Sequence, residues 1–407
     1  MKYFKVEKDK NICQECFWCE SLVNCPVDFL EDDCFGCAAC VLVCPYEARK
    51  TVKVEKKEKI EIEVDGKKFK VFEKITVKRA LEDLGYNFEK IPGKAIFAPC
   101  EVGGCYCCSV EIDTDIKPSC ITPVKAGMKI KTDIKGRYPL KRIVGGFMPH
   151  TVGGVGTPWY LKGKGYIEVA LFTAGCNFRC PQCQNWTITY RGKETEKYKA
   201  LTPKEAAEEM TKIRKKFKVN RMAISGGEAT LNRKWLVEYL KELKKLNPDK
   251  EARFHVDTNG SLLTEDYIDE LVDAGMTDIG IDLKSLKTET FMIITGLKDK
   301  NLAKIYKETA WHAVKYIVEN YKDKVFVGIG IPYNKKLISL EEIEMMGKEI
   351  YKIDPEIQVC ALDYRPEFKR WDIFYPEYRE MEKVYHVLKS TGLKTVTCQT
   401  KYGYIGP

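Results

Sequence analysis

The spacing of cysteine constrains this chain more than any other feature. The 407 residues hold 18 cysteines, with eight in residues 13–44, five in residues 100–120 and three in residues 176–183. Many are separated by two other residues, and such C-x-x-C groups favour metal ligation over disulfide formation. The opening residues, MKYFKVEKDK, contain no export signal, and no apolar run reaches the ~18 residues that a membrane span needs. We therefore expect a cytoplasmic, metal-binding protein without a membrane segment.

The first eight cysteines form two matched runs, each closed by a Cys-Pro pair. The second, C-x2-C-x2-C-x3-C-P, has the spacing of bacterial ferredoxins, and the first differs only in a last interval that is two residues longer. Residues 1–52 therefore resemble two-cluster ferredoxins, in which the fourth cysteine of each run ligates the other cluster. The resemblance assigns one [4Fe–4S] cluster to Cys13, Cys16, Cys19 and Cys44, and a second to Cys25, Cys34, Cys37 and Cys40. Zinc binding is the alternative.

Residues 53–132 have a different sequence pattern from residues 1–52. KIEIEVDGKKFKVF reads as two alternating strands around Asp65 and Gly66, which predicts a hairpin, and a short amphipathic helix is predicted from Thr76. The cysteines that follow have the plant-type binuclear spacing with a shorter last interval. The region resembles β-grasp [2Fe–2S] domains, which implies a cluster on Cys100, Cys105, Cys108 and Cys120. Cys107 is interpreted as a buried small side chain, with ligand exchange as the alternative.

Residues 133–165 are interpreted as a glycine-rich linker or a substrate-side loop. Gly153, Gly154 and Gly156 lie there, but their spacing does not match a phosphate-binding loop. Residues 166–407 alternate short apolar strands with amphipathic helices in six units, which predicts a parallel sheet. The number of units favours an α/β partial (β/α)6 barrel, with a doubly wound sheet as the alternative fold.

Polar residues follow all six predicted strands, at the end where barrel enzymes place their chemistry. Strand alternation puts Asp282 and Lys284 on one face, and His255 one step deeper than Asp257, where we interpret it as a hydrogen-bonded interior histidine. The candidate residues at these strand ends are Cys176, Cys180, Cys183, Gly226, Gly227, Glu228, Asp257, Asn259, Asp282, Lys284, Asn334, Lys335, Asp363, Tyr364 and Arg365.

Cys176-x3-Cys180-x2-Cys183, followed by a strand that ends Gly-Gly-Glu, resembles the radical S-adenosylmethionine (SAM) superfamily. The motifs CQN, DTNG, DLK and Thr295-Gly296 further resemble its glycyl-radical-enzyme activase branch. The resemblance implies a third [4Fe–4S] cluster on Cys176, Cys180 and Cys183, whose fourth iron binds the amine and carboxylate of SAM. Two residues depart from the pattern, because Gln182 replaces the usual aromatic residue and Arg365 stands where the activase branch often has a histidine.

The resemblance also implies roles for the strand-end residues. Gly226 and Gly227 expose backbone to the methionyl amine, and Glu228 offers it an acceptor. Asp257 and Asn259 contact the ribose, and Lys284 neutralises a carboxylate or a later intermediate. Asp282 and Arg365 complete the predicted SAM-binding set. No role is assigned to Cys398, and Cys360 reads as a buried strand cysteine, with hydrogen-atom donation as the alternative.

Three functions are consistent with these features. The first is an enzyme that cleaves SAM to a 5′-deoxyadenosyl radical and abstracts hydrogen from a glycyl-radical-enzyme partner, with electrons passed from an external low-potential donor through its own N-terminal domains. The second is a radical enzyme that modifies a small molecule or another peptide, as in cofactor biosynthesis. The third is a non-catalytic electron carrier. The formal charge of +9 does not indicate a nucleic-acid partner, because the predicted clusters with their thiolates would remove about seven charges.

Overall fold

The structure is a computed structural model that describes residues 3–56 and 58–407. The chain forms two compact units. The first comprises residues 1–145, 173–177 and 185–202, and the second comprises residues 146–172, 178–184 and 203–407. The predicted domain of residues 166–407 therefore gives two of its segments to the first unit. Residues 1, 2 and 57 of the predicted domains 1–52 and 53–132 lie outside the described residues.

The N-terminal part of the first unit is a two-stranded sheet with two short helices. Strands β1 (Tyr3–Lys8) and β2 (Arg49–Val54) pair antiparallel, and helices α1 (Trp18–Leu22) and α2 (Ala39–Val43) lie between them in the chain. Each helix is preceded by a residue in the left-handed region, with φ of 57° at Phe17 and 58° at Ala38. The two cysteine runs thus fold in the same local way.

The predicted hairpin and helix of the next part are both confirmed. Strands β3 (Lys59–Val64) and β4 (Lys67–Phe72) pair around Asp65 and Gly66, which both have positive φ. Helix α3 (Val77–Asp83) begins after Thr76, whose hydroxyl accepts the N–H of Arg79. The remaining strands are β5 (Phe88–Glu89), β6 (Ile96–Phe97), β7 (Ser109–Ile112), β8 (Asp115–Pro118) and β9 (Lys129–Lys131). The five-stranded sheet has the order β4-β3-β9-β7-β8, and the apolar side of α3 shares its core.

The predicted linker is wrong as a description of residues 133–165, because a ten-residue strand runs through it. This is strand β10 (Lys141–His150). Gly145 and Gly146 interrupt its sequence pattern, and their φ values of 68° and 120° interrupt its pleat. Strand β11 (Glu168–Thr173), helix α4 (Trp186–Thr189) and strand β12 (Ala200–Leu201) follow. Strand β12 pairs antiparallel with Lys141 and Arg142 of β10.

The second unit continues as alternating helices and strands. These are α5 (Pro203–Phe217), β13 (Arg221–Gly226), α6 (Arg233–Leu246), β14 (Arg253–Thr258), α7 (Glu265–Ala274), β15 (Asp278–Asp282), α8 (Thr288–Thr295), α9 (Lys300–Tyr321), β16 (Phe326–Tyr333), α10 (Leu340–Ile353), β17 (Gln358–Asp363), α11 (Tyr378–Ser390), β18 (Val396–Thr400) and β19 (Gly403–Ile405). All six predicted strands are present, as β11 and β13 to β17. Strand β18, which pairs parallel with β17, was not predicted, because its sequence VTCQT is short and half polar.

The strand order in this unit is sequential, β11-β13-β14-β15-β16-β17-β18-β19. The pairs from β13 to β18 are parallel. A doubly wound sheet reverses its strand order at one point, whereas barrels keep it sequential, so the order does not match the doubly wound alternative. No helix in residues 3–56 and 58–407 is long and apolar enough to cross a membrane.

The loop of residues 153–157 packs tightly on the strands of this sheet. A Cβ added at Gly156 would lie 2.5 Å from the backbone nitrogen of Gly280, and one added at Gly328 would overlap the carbonyl oxygen of Val155. The Gln358 side chain holds the loop, because its Nε2 donates to the carbonyl oxygen of Thr157 at 2.9 Å. These glycines therefore serve close packing rather than phosphate binding.

Candidate active site

Three polar side chains surround Cys180 at the carboxyl ends of β15 and β17. The Lys284 ammonium is 2.9 Å from the Asp282 carboxylate and 2.8 Å from the Tyr364 hydroxyl oxygen. Burial raises the pKa of the Cys180 thiol to about 12, and the nearby Lys284 opposes that rise. Since a metal ligand must be a thiolate, iron binding would have to supply the remaining stabilisation of the negative charge.

Lys284 is buried but stays charged. Burial alone would lower its pKa, yet Asp282, Tyr364 and Cys180 raise the pKa well above its ordinary value. Tyr364 is the member of this group that sequence reasoning left without a role. Its pKa is raised mainly by burial, so the phenol is a neutral hydrogen-bond partner. The sequence signal that could have revealed this contact is the position of Tyr364 directly after β17.

Arg365, predicted to contact SAM, points its guanidinium toward other groups. Its Nη1 lies 3.8 Å from an Asp363 carboxylate oxygen, and the guanidinium carbon lies 5.9 Å from the centre of the Tyr375 ring. The side chain is partly exposed. The structure thus places Arg365 at the same end of the sheet as Lys284, but not in the Lys284 hydrogen-bonded group.

Glu228, predicted to be an acceptor for the methionyl amine, accepts hydrogen bonds from groups of its own chain. It is fully buried, and its Oε1 accepts the hydroxyls of Thr230 and Thr258, each at 2.6 Å. Its Oε2 accepts the backbone N–H of Asn259 at 2.7 Å. The carboxylate therefore joins the ends of β13 and β14. This orientation depends on long-range partners that the Gly-Gly-Glu motif does not reveal.

Gly226 and Gly227, which precede Glu228, are better placed than Glu228 to contact a ligand. Gly226 has φ of 116°, a conformation that glycine adopts at little cost. Gly226 and Gly227 are both partly exposed at the carboxyl end of β13. Close approach of a ligand to this backbone fits their predicted role.

The two predicted ribose contacts carry partners from their own chain. The Asp257 Oδ1 lies 3.0 Å from His255 Nε2, and a Cβ added at Gly154 would overlap the Asp257 carboxylate. The Asn259 side-chain oxygen accepts the backbone N–H of Ser261 at 3.0 Å. His255 is fully buried between Asp257 and Glu168, which confirms the interpretation of an interior, hydrogen-bonded histidine.

The second half of the cysteine loop is pinned to the end of α8. The N–H of Arg179 donates to the carbonyl oxygen of Thr295 at 2.8 Å, and Gln182 Nε2 donates to the carbonyl oxygen of Ile294 at 2.7 Å. A Cβ at Gly296 would overlap the carbonyl oxygen of Arg179. The Thr-Gly pair noted in the sequence thus anchors the loop, and buried Gln182 binds backbone where an aromatic residue was expected.

The eight N-terminal cysteines lie in two sets of four. One set lines a cavity of about 60 Å³, and the other lines a cavity of about 20 Å³. The first set is Cys13, Cys16, Cys19 and Cys44, and the second is Cys25, Cys34, Cys37 and Cys40. Each set draws its fourth cysteine from the other run. Backbone N–H groups donate to sulfur at 3.3 Å, for example from Val6 to Cys34 and from Ala48 to Cys44, as hydrogen bonds do around cluster thiolates.

The four cysteines of the predicted binuclear site also lie together. Cys100 hydrogen-bonds Cys105 and Cys120, and Cys120 hydrogen-bonds Cys108. Cys107, interpreted from the sequence as buried, is instead partly exposed, and its backbone nitrogen lies 3.5 Å from the Cys105 sulfur. Among the described residues no three His, Cys, Asp or Glu side chains converge as the ligands of one metal ion do. Each of these donor sets consists of cysteines alone, the ligands that iron–sulfur clusters take, so the donor chemistry fits clusters. Cys360 and Cys398 are buried on β17 and β18.

Two segments of the chain match known families. Residues 170–346 match the radical SAM superfamily, and residues 57–135 match the 2Fe-2S iron-sulfur cluster binding domain. Residues 170–346 are therefore a radical SAM segment, and residues 57–135 are a ferredoxin-like 2Fe–2S segment.

Curated relatives share part of this chain. A protein of Methanococcus aeolicus named "Probable GTP 3',8-cyclase" is 35% identical over 124 residues, which is 30% of this chain and 39% of that protein. A protein of the same name from Saccharolobus solfataricus is 36% identical over 125 residues, 31% of this chain and 37% of that protein. The chain thus spans under two fifths of these relatives.

Solved structures show a weaker likeness. The FeFe-hydrogenase maturase HydG from Carboxydothermus hydrogenoformans is 16% identical, with a TM-score of 0.40, and the match covers 57% of this chain and 53% of that one. The family match confirms the superfamily resemblance for residues 170–346, whereas the relatives' names do not support the narrower activase branch.

Proposed function

We propose that this enzyme binds SAM beside Cys180 and uses it to remove a hydrogen atom from a small molecule, with electrons supplied through its own N-terminal cysteine domains. The observation that carries the proposal is the group of Lys284, Asp282 and Tyr364 at Cys180, within a segment that matches the radical SAM superfamily. Cys176, Cys180 and Cys183 would hold a [4Fe–4S] cluster with one iron left for SAM, and that cluster would supply the electron for cleavage of the sulfonium.

The protein's own residues would bind and orient the cofactor. Lys284 keeps a positive charge next to the cluster thiolates and to any carboxylate bound there. Gly226 and Gly227 present accessible backbone for a ligand amine. Glu228 acts as a positioning residue, since it fixes the ends of β13 and β14. Tyr364 holds the Lys284 ammonium in place.

The substrate assignment rests on the relatives. Their printed name, "Probable GTP 3',8-cyclase", favours the small-molecule, cofactor-building alternative over the activation of a glycyl-radical enzyme. GTP itself is a candidate to test rather than an assignment, because the match spans under two fifths of those proteins. The glycyl-radical-enzyme partner and the external low-potential donor remain predictions.

Metal content and SAM cleavage test the proposal together. The assigned ligands predict three [4Fe–4S] clusters and one [2Fe–2S] cluster, or about fourteen irons per chain after anaerobic reconstitution. Dithionite-reduced enzyme should convert SAM to 5′-deoxyadenosine. A triple variant, Cys176→Ala, Cys180→Ala and Cys183→Ala, should lose both this product and about four irons.

Three results would contradict the proposal. These are a reconstituted protein that holds only zinc, a triple variant that still cleaves SAM, and cleavage without any acceleration by small molecules. For the substrate, deuterated GTP should be compared with other deuterated nucleotides, with deuterium in 5′-deoxyadenosine as the readout.

A further inference from the structure

The binuclear cysteine loop packs directly on the residue that precedes Cys176. A Cβ added at Gly175 would lie 3.0 Å from the Cβ of Cys105 and 3.1 Å from the Cβ of Cys100. Gly175 has φ of 87°, which disfavours any other residue. The backbone of Gly175, directly before the first predicted ligand of the SAM-binding cluster, therefore lies close to two predicted binuclear ligands, and a side chain at this position would crowd them.

A second glycine makes the same contact from the other side. A Cβ added at Gly104 would lie 2.6 Å from the Cβ of Ala174 and 3.0 Å from the nitrogen of Gly175. The carbonyl oxygen of Gly104 accepts the N–H of Arg142, and the carbonyl oxygen of Arg142 accepts the N–H of Ala174. The two loops are thus held together by hydrogen bonds on either side of Arg142.

The same unit connects the binuclear cysteines to the N-terminal ones. Cys37 and Cys120 line one cavity of about 300 Å³.

A second contact could carry electrons from the N-terminal cysteines to the predicted SAM-binding cluster. Trp18 of α1 and Trp186 of α4 pack edge to face with ring centres 4.8 Å apart. Trp18 lies between Cys16 and Cys19, and Trp186 follows Cys183 by three residues. The contact between the binuclear cysteines and Gly175 is more direct than this tryptophan pair, because Gly175 is covalently bonded to Cys176.

We propose that the centre held by Cys100, Cys105, Cys108 and Cys120 is the immediate electron donor to the cluster held by Cys176, Cys180 and Cys183, with Gly104 and Gly175 as positioning residues. This rests on the proposed function. One electron leaves the reduced binuclear centre, which returns to two ferric irons, and reduces the four-iron cluster by one. No bond forms or breaks, and an external donor of the ferredoxin class restores the electron.

Magnetic interaction between the two centres tests the proposal without relying on turnover. In the reduced, reconstituted full chain, the electron paramagnetic resonance signal of the binuclear centre should relax faster when the SAM-binding cluster is also reduced. Gly175→Ala and Gly104→Ala should lose this enhancement and slow reduction of the SAM-binding cluster by a limiting ferredoxin. Gly85→Ala is the matched control, since Gly85 has a similar φ of 94° and nothing within 4 Å of its added Cβ.

The outcomes separate this inference from the proposed function. Dithionite reduces the SAM-binding cluster without the binuclear centre, so dithionite-driven 5′-deoxyadenosine formation should fall less in both glycine variants than ferredoxin-driven formation. Unchanged relaxation in both variants would overturn the inference, and so would a loss of transfer in Trp18→Leu but not in Gly175→Ala or Gly104→Ala. If the unaltered enzyme never cleaves SAM although it holds all its clusters, the proposed function fails instead.

Discussion

Lys284 and Asp282 form an ion pair in which the lysine is almost fully buried and the carboxylate is about one third exposed. Lys284→Met would leave Asp282 without its cation, so we expect a loss of about 2 kcal/mol in the free energy of unfolding, less than for a fully buried pair. SAM binding should weaken as well, because a positive charge beside Cys180 is lost. Chemical denaturation and equilibrium binding measure the two effects.

The double variant Lys284→Met with Asp282→Asn is the control for this prediction. It removes the unpaired charge, so stability should return toward that of the unaltered enzyme while SAM binding stays weak. Recovery of both properties would contradict a binding role for the Lys284 charge.

His255 predicts a pH dependence of stability. Burial would lower its pKa, but Asp257 and Glu168 raise it from 6.5 to about 10. A group whose pKa is raised on folding stabilises the protein fully below the unfolded value and loses that effect as pH rises through the folded value. Stability should therefore fall between about pH 6.5 and 10, by an amount on the order of a few kcal/mol.

Thermal melting across this pH range checks the His255 prediction. His255→Gln should be less stable than the unaltered chain near neutral pH and should show a flatter pH profile. Equal slopes for the two proteins would assign the pH dependence to other groups.

At the scale of elements, the loop of residues 153–157 depends on glycines that allow it to lie against β14, β15 and β16. Gly156→Ala would press on the Gly280 nitrogen and on His255 Nε2, each 2.5 Å from the added Cβ. Because both neighbours are packed, we expect destabilisation by about 1–3 kcal/mol. Gly93→Ala is the control, since its Cβ would meet only the flexible Glu89 carboxylate at 3.3 Å. Similar melting temperatures for the two variants would contradict this packing role.

At the scale of the whole molecule, the division into units changes what a truncation should do. The sequence suggests that a chain beginning at residue 133 keeps every proposed SAM contact. In the structure, residues 185–202 belong to the same unit as residues 1–145, and the N–H groups of Gly192 and Lys193 both donate to the carbonyl oxygen of Leu22. Removal of residues 1–132 should therefore lower the melting temperature and expose residues 185–202 to proteolysis.

The same truncation tests the electron-supply role only if the shortened chain folds. A sharp melt at the full-length temperature, with no cleavage within residues 185–202, would contradict the structural dependence. In that event, slow SAM cleavage with a dilute ferredoxin and normal cleavage with dithionite would support the electron-supply role directly.

The sequence by itself predicted the candidate cluster ligands, because such ligands come in short runs whose spacing is nearly independent of the rest of the fold. The hairpin at Asp65 and the six strands followed from local patterns, whereas the grouping of Cys44 with Cys13 came from the resemblance to two-cluster ferredoxins. The interior position of His255 followed from the period of two along β14.

The tertiary structure decided the contacts between residues that are distant in the sequence. Glu228 carries a motif signature, yet Thr258 and Asn259 determine where its carboxylate points. Gly156 and Gly175 look like ordinary loop glycines until the packed backbone around them is known. A buried polar group bonds to the partner that the fold brings close to it, so residue spacing does not predict that partner. A close approach at a glycine involves two segments distant in sequence, so residue spacing does not predict it either.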